Sequence, residues 1–527
     1  MRLPTKQLIA AAGPLIRTPP CWPTRESLQD PWSTQTQRSA VGDESHDDRE
    51  SSGPWSPSKK DLAFALALLL YVTWFIHLSL LLYDSYQSPP FDLAIFDQGM
   101  WLTTHLHNPF ITINGRNLFG DHASYILLLI APLYRLLPEP QGLLIIQTLV
   151  FASGSIPIYV LLKRRASDSI VATAVAVSFL LNPILQNGNI DQFHPEAFLA
   201  PLVSLAIYAI FEENTTLFVS TVILILLVKE DTSLITIPLS IWFAMRRDRR
   251  IGLLAATGST IYAMLTNWLL MPLVLGTTSF YTRRIPFGGV SGLIAVTVGK
   301  PLLLIHYLLS QNRPYFLWQL GSTVAFLFLA APGAILVAMP LAAEDIISNL
   351  GTMHTIHCQY TIAFVPILLM SVAYVVLRSS SKREKRLVAC TVLFGALTTS
   401  FFWGHLPFSL NRATAVPSTT VAAMSYVARG LPANAGVAAF GPFVPHLDHR
   451  SQIYVWPNPF LAQNWGVRPT PVPLPDSYEL HFVRKIDYLL LPVNPGYLGR
   501  LTFVNRVLSH FSLIRSRGGF GLYRRNP

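Results

Sequence analysis

Charge is scarce in this chain: Asp, Glu, Lys and Arg together make 13% of its 527 residues, while 51% are hydrophobic. A soluble core of ordinary shape cannot hide that much apolar surface, so lipid must solvate part of it. Acidic residues are fewer than basic ones, 28 against 39, and the net charge of +11 sits in short Lys/Arg clusters between apolar runs. That is the positive-inside distribution of a membrane protein and not the basic stripe of a nucleic-acid groove, so no nucleic-acid partner is expected. Cysteine is nearly absent. Cys21, Cys358 and Cys390 show no CxxC or Cys/His spacing, which leaves neither a disulfide framework nor a structural zinc site. A P-loop, a Rossmann glycine fingerprint, a GxSxG elbow and an HExxH helix are also missing, and nucleotide-driven chemistry has no support. The weakly apolar first residues are broken by Pro4, Gly13 and Pro14, with no small-residue cleavage pattern before Cys21, so no cleaved signal peptide is expected.

What is present is a succession of apolar runs. Residues 1–60 come before it, and from Thr18 to Lys60 they are rich in Ser, Pro, Asp and Arg, which predicts a disordered cytoplasmic tail. Leu62–Tyr83 is then long enough, at about 1.5 Å per residue, to cross a ~30 Å hydrocarbon layer. The basic clusters set the register of the rest. Leu143–Leu162 runs inward to Lys163–Arg165, Ile170–Gln186 outward and Ala197–Phe211 inward. Leu217–Val228 runs outward and Leu234–Met245 inward to Arg246–Arg250. Leu253–Leu275 goes out, Ile294–Ser310 in, Phe316–Met339 out, Ile362–Leu377 in and Val388–Phe402 out. His122–Leu137, short and holding Pro132, reads as an interfacial or re-entrant helix. The expected fold is an all-α polytopic bundle of about eleven transmembrane helices over residues 61–405, with an external loop at 84–121. Residues 406–527, where Pro, Asn and Gly rise, form a small α/β lobe on the external side. Such a chain belongs in the inner membrane of a bacterial cell, with its N-terminus cytoplasmic and its lobe periplasmic.

Four polar groupings fall on the external face. In Phe91–Gln98 the carboxylates Asp92 and Asp97 lie about one and a half helical turns apart; Asp92 also suits an N-cap. In Asn189–Glu196 an Asp, a His and a Glu (Asp191, His194, Glu196) lie within six positions, a spacing that a divalent cation accepts, although helix-start residues read the same way. Lys229–Glu230–Asp231 puts three charges between two apolar helices, either as an internal ion pair or with Lys229 facing a phosphate. Last, His354 and His357 precede an inward span, where they either bind a ligand or anchor a helix end.

These residues resemble a known pattern. FDLAIFDQ, the Asp121–His122 pair, NPILQNGNIDQFHPE and LLVKED are similar to a family of bacterial multi-spanning proteins known only as a domain of unknown function, from about Pro89 to Thr361, with a looser match around Pro445–Leu447 and Arg450. The order of elements resembles the GT-C superfamily of glycosyltransferases that use lipid-linked sugars. In that superfamily an acidic residue of the first external loop is the general base, and Asp92 matches it by position; a second acidic residue commonly follows there, and this chain has Leu93. The resemblance implies a sugar moved from a polyprenyl-phosphate donor to an acceptor at the external leaflet. Asp92 would take the proton, with Asp97 beside it. Asp97, Asp191 and Glu196 would orient the acceptor or hold a divalent cation (Mg or Mn). Lys229, with Arg283 or Arg284, would meet the leaving phosphate, and His122, His194, Glu230, Asp231, His354 and His357 would line the substrate site. The expected partners are membrane lipid and the polyprenyl-phosphate sugar. The rival reading is a lipid or solute transporter or flippase.

Overall fold

The computed structural model describes residues 59–137, 139–276, 284–460, 483–494 and 501–527. The expected tail lies outside the described residues except for Lys59 and Lys60, which open the first helix, Lys59–Asp84; Arg283 lies outside them too. Six described helices are long and apolar enough to cross a membrane: Asp61–Asp84, Pro140–Arg165, Ser169–Ile190, Arg249–Leu275, Gln359–Arg378 and Lys382–Trp403. Shorter apolar helices fill the gaps at Ile126–Leu136, Pro195–Phe211, Thr215–Leu226 and Ser233–Arg246. The first helix buries Phe75 and Leu78 and exposes Leu62, Leu66, Leu69 and Leu70, the pattern of a helix with one face in lipid. Between Ser233–Arg246 and Arg249–Leu275 the backbones come so close that a Cβ on Gly252 would lie 2.4 Å from the Ala244 nitrogen.

Ion pairs gather the basic clusters at one end of the bundle. Lys163 meets Asp61, Arg164 and Arg165 share Glu212, Arg247 meets Glu213, and Arg386 meets Asp168. The four polar groupings lie at the opposite end.

Two expected spans are broken. Ile294–Ser310 is two short helices, Val290–Gly299 and Pro301–Leu308, bent by 113° at Lys300. The chain is then back where it started: the Tyr307 hydroxyl donates to the Ile347 and Ser348 carbonyls, Arg313 to those of Ile346 and Ser348, and the Asn349 amide to the Arg284 carbonyl. Phe316–Met339 is likewise split into Arg313–Ser322 and Pro332–Ile347 around a turn where Ala325 and Phe326 take positive φ. Ala325 abuts Gly395, partway along Lys382–Trp403, so this hairpin turns inside the bundle.

The C-terminal lobe holds a five-stranded sheet in the order β4-β3-β5-β7-β6, after a two-residue hairpin β1 (Phe110–Ile111) and β2 (Arg116–Asn117) in the loop region. β3 (Val437–Ala439) is parallel to β4 (Ile453–Val455) and to β5 (Tyr488–Pro492); β7 (Phe520–Arg525) is antiparallel to β5 and to β6 (Phe511–Arg517). Ala438, Leu489, Leu491, Val504 and Val507 pack on one side of it. The lobe sits on the helix Leu93–Thr104: Gln98 Nε2 donates to the Arg450 carbonyl (3.0 Å) and Thr112 Oγ1 to that of Ile453 (2.6 Å).

Candidate active site

Asp92 occupies the N-cap position of Leu93–Thr104 yet caps nothing with its side chain. Its backbone takes φ 76 and ψ −87, a strained conformation for a residue with a Cβ. The turn swings the carboxylate, 38% exposed, towards the loop after Ser169–Ile190, where its Oδ1 lies 3.4 Å from Nε2 of the buried His194. Nδ1 of His194 lies 3.1 Å from the Gln192 carbonyl. Burial alone would pull His194 down, but Asp92, Asp191 and Glu196 outweigh it and hold the imidazole at about 9. Burial pushes Asp191 up to about 6 against the pull of His194, and the Gln359 amide donates to it.

Next to this pair lies the Lys229 network. Lys229 Nζ is buried, 3.0 Å from both Glu196 Oε1 and Asp231 Oδ2, and 5.0 Å from the centre of the Tyr360 ring. Of the internal pairs anticipated for the Lys-Glu-Asp run, the Lys229–Asp231 pair is made, while the glutamate that meets Lys229 is Glu196 from the preceding loop. Glu230 turns the other way: Oε1 meets His122 Nδ1 at 2.9 Å and Oε2 accepts the Ala123 amide. Burial opposes both charges, but the pairing wins, holding Glu230 at about 2 and raising His122.

Arg284, whose guanidinium lies 5.7 Å from the centre of the Tyr360 ring that Lys229 also faces, lines a cavity of about 990 Å³. Glu230, Asp231, Arg284 and Glu344 form its polar rim, and Leu234, Ile237, Met264, Trp268, Pro272 and Leu293 its apolar walls. A ligand with a charged head and a long apolar tail suits that shape.

Not all expected residues converge. Five positions along a helix turn a side chain by roughly 140°, so Asp97 faces the C-terminal lobe and not Asp92. It is wholly buried there, with Tyr134 and His449. Asp97, Asp191 and Glu196 therefore do not meet as a cation site, and Glu196 is already held by Lys229. His357 pairs with Asn187, which also meets His405. His354 is buried beside Arg313, with no hydrogen-bond partner among the described residues for either ring nitrogen. Tyr360, Asp448 and His449 went unselected by sequence reasoning; the last two sit in the polar run Pro445–Arg450, whose density was the available signal.

A family described as "Predicted membrane protein (DUF2079)" matches residues 82–471. Among solved structures, ArnT from Cupriavidus metallidurans bound to undecaprenyl phosphate superposes with a TM-score of 0.50 at 11% identity, covering 88% of this chain and 97% of that one. The apo state of the same protein gives 0.48 at 12% identity, with 87% and 98% covered. The Archaeoglobus fulgidus oligosaccharyltransferase complex with Zn and sulfate gives 0.41 at 13% identity, with 88% and 73% covered. No curated protein matches. The chain thus has the fold of the GT-C glycosyltransferases, as a helical membrane bundle with a small C-terminal sheet lobe.

Proposed function

The chain belongs to the DUF2079 family of predicted membrane proteins, and we propose that it is a membrane glycosyltransferase moving a sugar from a polyprenyl-phosphate donor to an acceptor at the external leaflet. The observation that carries this reading is Asp92: a half-exposed carboxylate on a strained backbone, released from capping its own helix and set among His194, Asp191 and Tyr360, the ring that Arg284 also faces. In the reaction the acceptor hydroxyl attacks the anomeric carbon, the bond from that carbon to the phosphate oxygen breaks, and Asp92 takes the hydroxyl proton. His194, protonated at neutral pH, holds Asp92 in orientation. Asp191 orients the acceptor. Arg284, which lines the cavity, meets the phosphate, and the Lys229 ammonium holds Glu196 and Asp231 in place. The apolar walls take the start of the polyprenyl chain. ArnT, of the same fold, has been seen with undecaprenyl phosphate bound, a donor carrier of this chemical class.

Positive-inside asymmetry makes the basic end cytoplasmic and the Asp92 end external in a bacterial inner membrane. The test is kinetic. Asp92→Asn is expected to fold, to bind a polyprenyl-phosphate sugar as the wild type does, and to lose transfer by roughly a hundredfold or more. Near-normal transfer by this variant sinks the assignment; solute flux without any transfer points to the carrier reading instead.

A further inference from the structure

Three side chains that the proposed reaction does not use meet between the helix Leu93–Thr104 and the C-terminal lobe. Asp97 and Asp448 are almost wholly buried, His449 is 29% exposed, and one ligand atom from each lies within 4.8 Å of the other two. Asp97 Oδ2 approaches His449 Nε2 to 2.7 Å without hydrogen-bond alignment, and Asp97 Oδ2 and Asp448 Oδ2 are both buried with no hydrogen-bond partner among the described residues. The Tyr134 hydroxyl donates to Asp97 Oδ1 (2.8 Å) and lies 3.1 Å from His449 Nε2; Trp101 stacks on the imidazole at 6.0 Å. Arg450, next in the chain, feels Asp448 at a distance but donates its guanidinium hydrogen bonds to the Leu447, Pro432 and Ala435 carbonyls.

Two adjacent buried carboxylates must share either a proton or a cation. An imidazole nitrogen in the same ligand set favours the cation, because Asp and His together suit zinc or manganese. Calcium takes roughly six to eight oxygens, more than this pocket offers. The exposed edge of His449 gives an ion a way in. We infer that Asp97, Asp448 and His449 form a binding site for a divalent transition-metal ion, zinc or manganese, which clamps the C-terminal lobe to the helix that begins at Asp92. Three protein ligands leave a fourth position for water, and Tyr134 orients Asp97 from outside the ligand set. The site stands independently of sugar transfer.

The experiment uses full-length, tag-free protein in detergent, stripped with a chelator and titrated with zinc or manganese chloride alone. One equivalent is expected to bind and to raise the melting temperature. Asp448→Asn and His449→Gln weaken binding by roughly a hundredfold or more, while Tyr134→Phe keeps the ion with a loss of about tenfold. If the ligand variants do not fold, X-ray absorption on the wild-type zinc form decides: one imidazole nitrogen with oxygens supports the site. No stoichiometric ion on the wild type, a spectrum with sulfur or with two or more imidazoles, or unchanged affinity in folded ligand variants overturns it.

Discussion

At Asp92 the chain accepts a positive φ that a glycine would adopt without strain, at a cost of about 1–3 kcal/mol for a residue with a side chain. Such strain persists only where the surroundings over-determine it. Asp92→Gly is therefore expected to abolish transfer and to melt above Asp92→Asn, which loses the same carboxylate beside His194 but keeps the strained backbone; a glycine variant that melts no higher than the asparagine variant would show that the backbone there stores no strain. His194 gives a pH signature. Its native value, about 9, lies above the 6.5 of a free histidine, so its stabilising contribution is complete below 6.5 and disappears as pH rises through about 9. Wild-type melting temperature is expected to fall across that window more steeply than that of His194→Gln, and parallel curves would contradict the pairing. Asp191, near 6, runs in the opposite sense for function: as pH falls through about 6 it protonates, and an acid limb of transfer there is expected to vanish in Asp191→Asn. At this scale the sequence was legible in part. Asp92, Asp191, His194, Glu196 and Lys229 stand out as charges beside apolar helices, but which carboxylate faces which partner depends on one backbone angle at Asp92 and on the 140° turn to Asp97, and neither is written in residue type.

The helices were legible wherever length, hydropathy and terminal charge agreed, as in Ser169–Ile190 and Lys382–Trp403. Val290–Leu308 and Arg313–Ile347 misled because an apolar hairpin has the composition of a span, whether it turns against a neighbouring helix, as Ala325 does at Gly395, or buries none of its residues, as Val290–Leu308 does. Gly299-Lys300-Pro301 was the available signal at the first, since a residue before proline avoids helical angles; Ala325 and Phe326 give no such cue at the second. The return of the first hairpin to the Arg284 end makes a checkable statement. In a background without native cysteines, exposed Gln311→Cys is expected to react with an impermeant reagent from the same side as Ala433→Cys in the lobe, and from the side opposite Ser380→Cys. Labelling of Gln311→Cys together with Ser380→Cys would restore a crossing at residues 290–308.

The whole molecule brings basic clusters to one end and carboxylates, imidazoles and one guanidinium-rimmed cavity to the other, with the lobe fastened over the helix that begins at Asp92. The lobe's strands at Val437, Ile453 and Tyr488 could be read from short β-branched and aliphatic runs, but their parallel order is set by crossover pairings within the lobe, and their seat on Gln98 and Thr112 by contacts more than 300 residues apart in sequence. Arg450, whose carbonyl accepts from Gln98, is buried at that seat. Cavity and rim together predict that Arg284→Ala weakens donor binding by roughly tenfold to a hundredfold with less effect on acceptor binding, from the loss of one charge-assisted contact to phosphate. The central claim is tested most directly with purified protein in liposomes that hold a polyprenyl-phosphate sugar labelled in the sugar, by following the label from lipid to a water-soluble or lipid acceptor. The account predicts that wild-type protein releases the sugar from its lipid phosphate and Asp92→Asn does not, at equal donor binding; label that crosses the bilayer still joined to its lipid, at the same rate in both proteins, would contradict it.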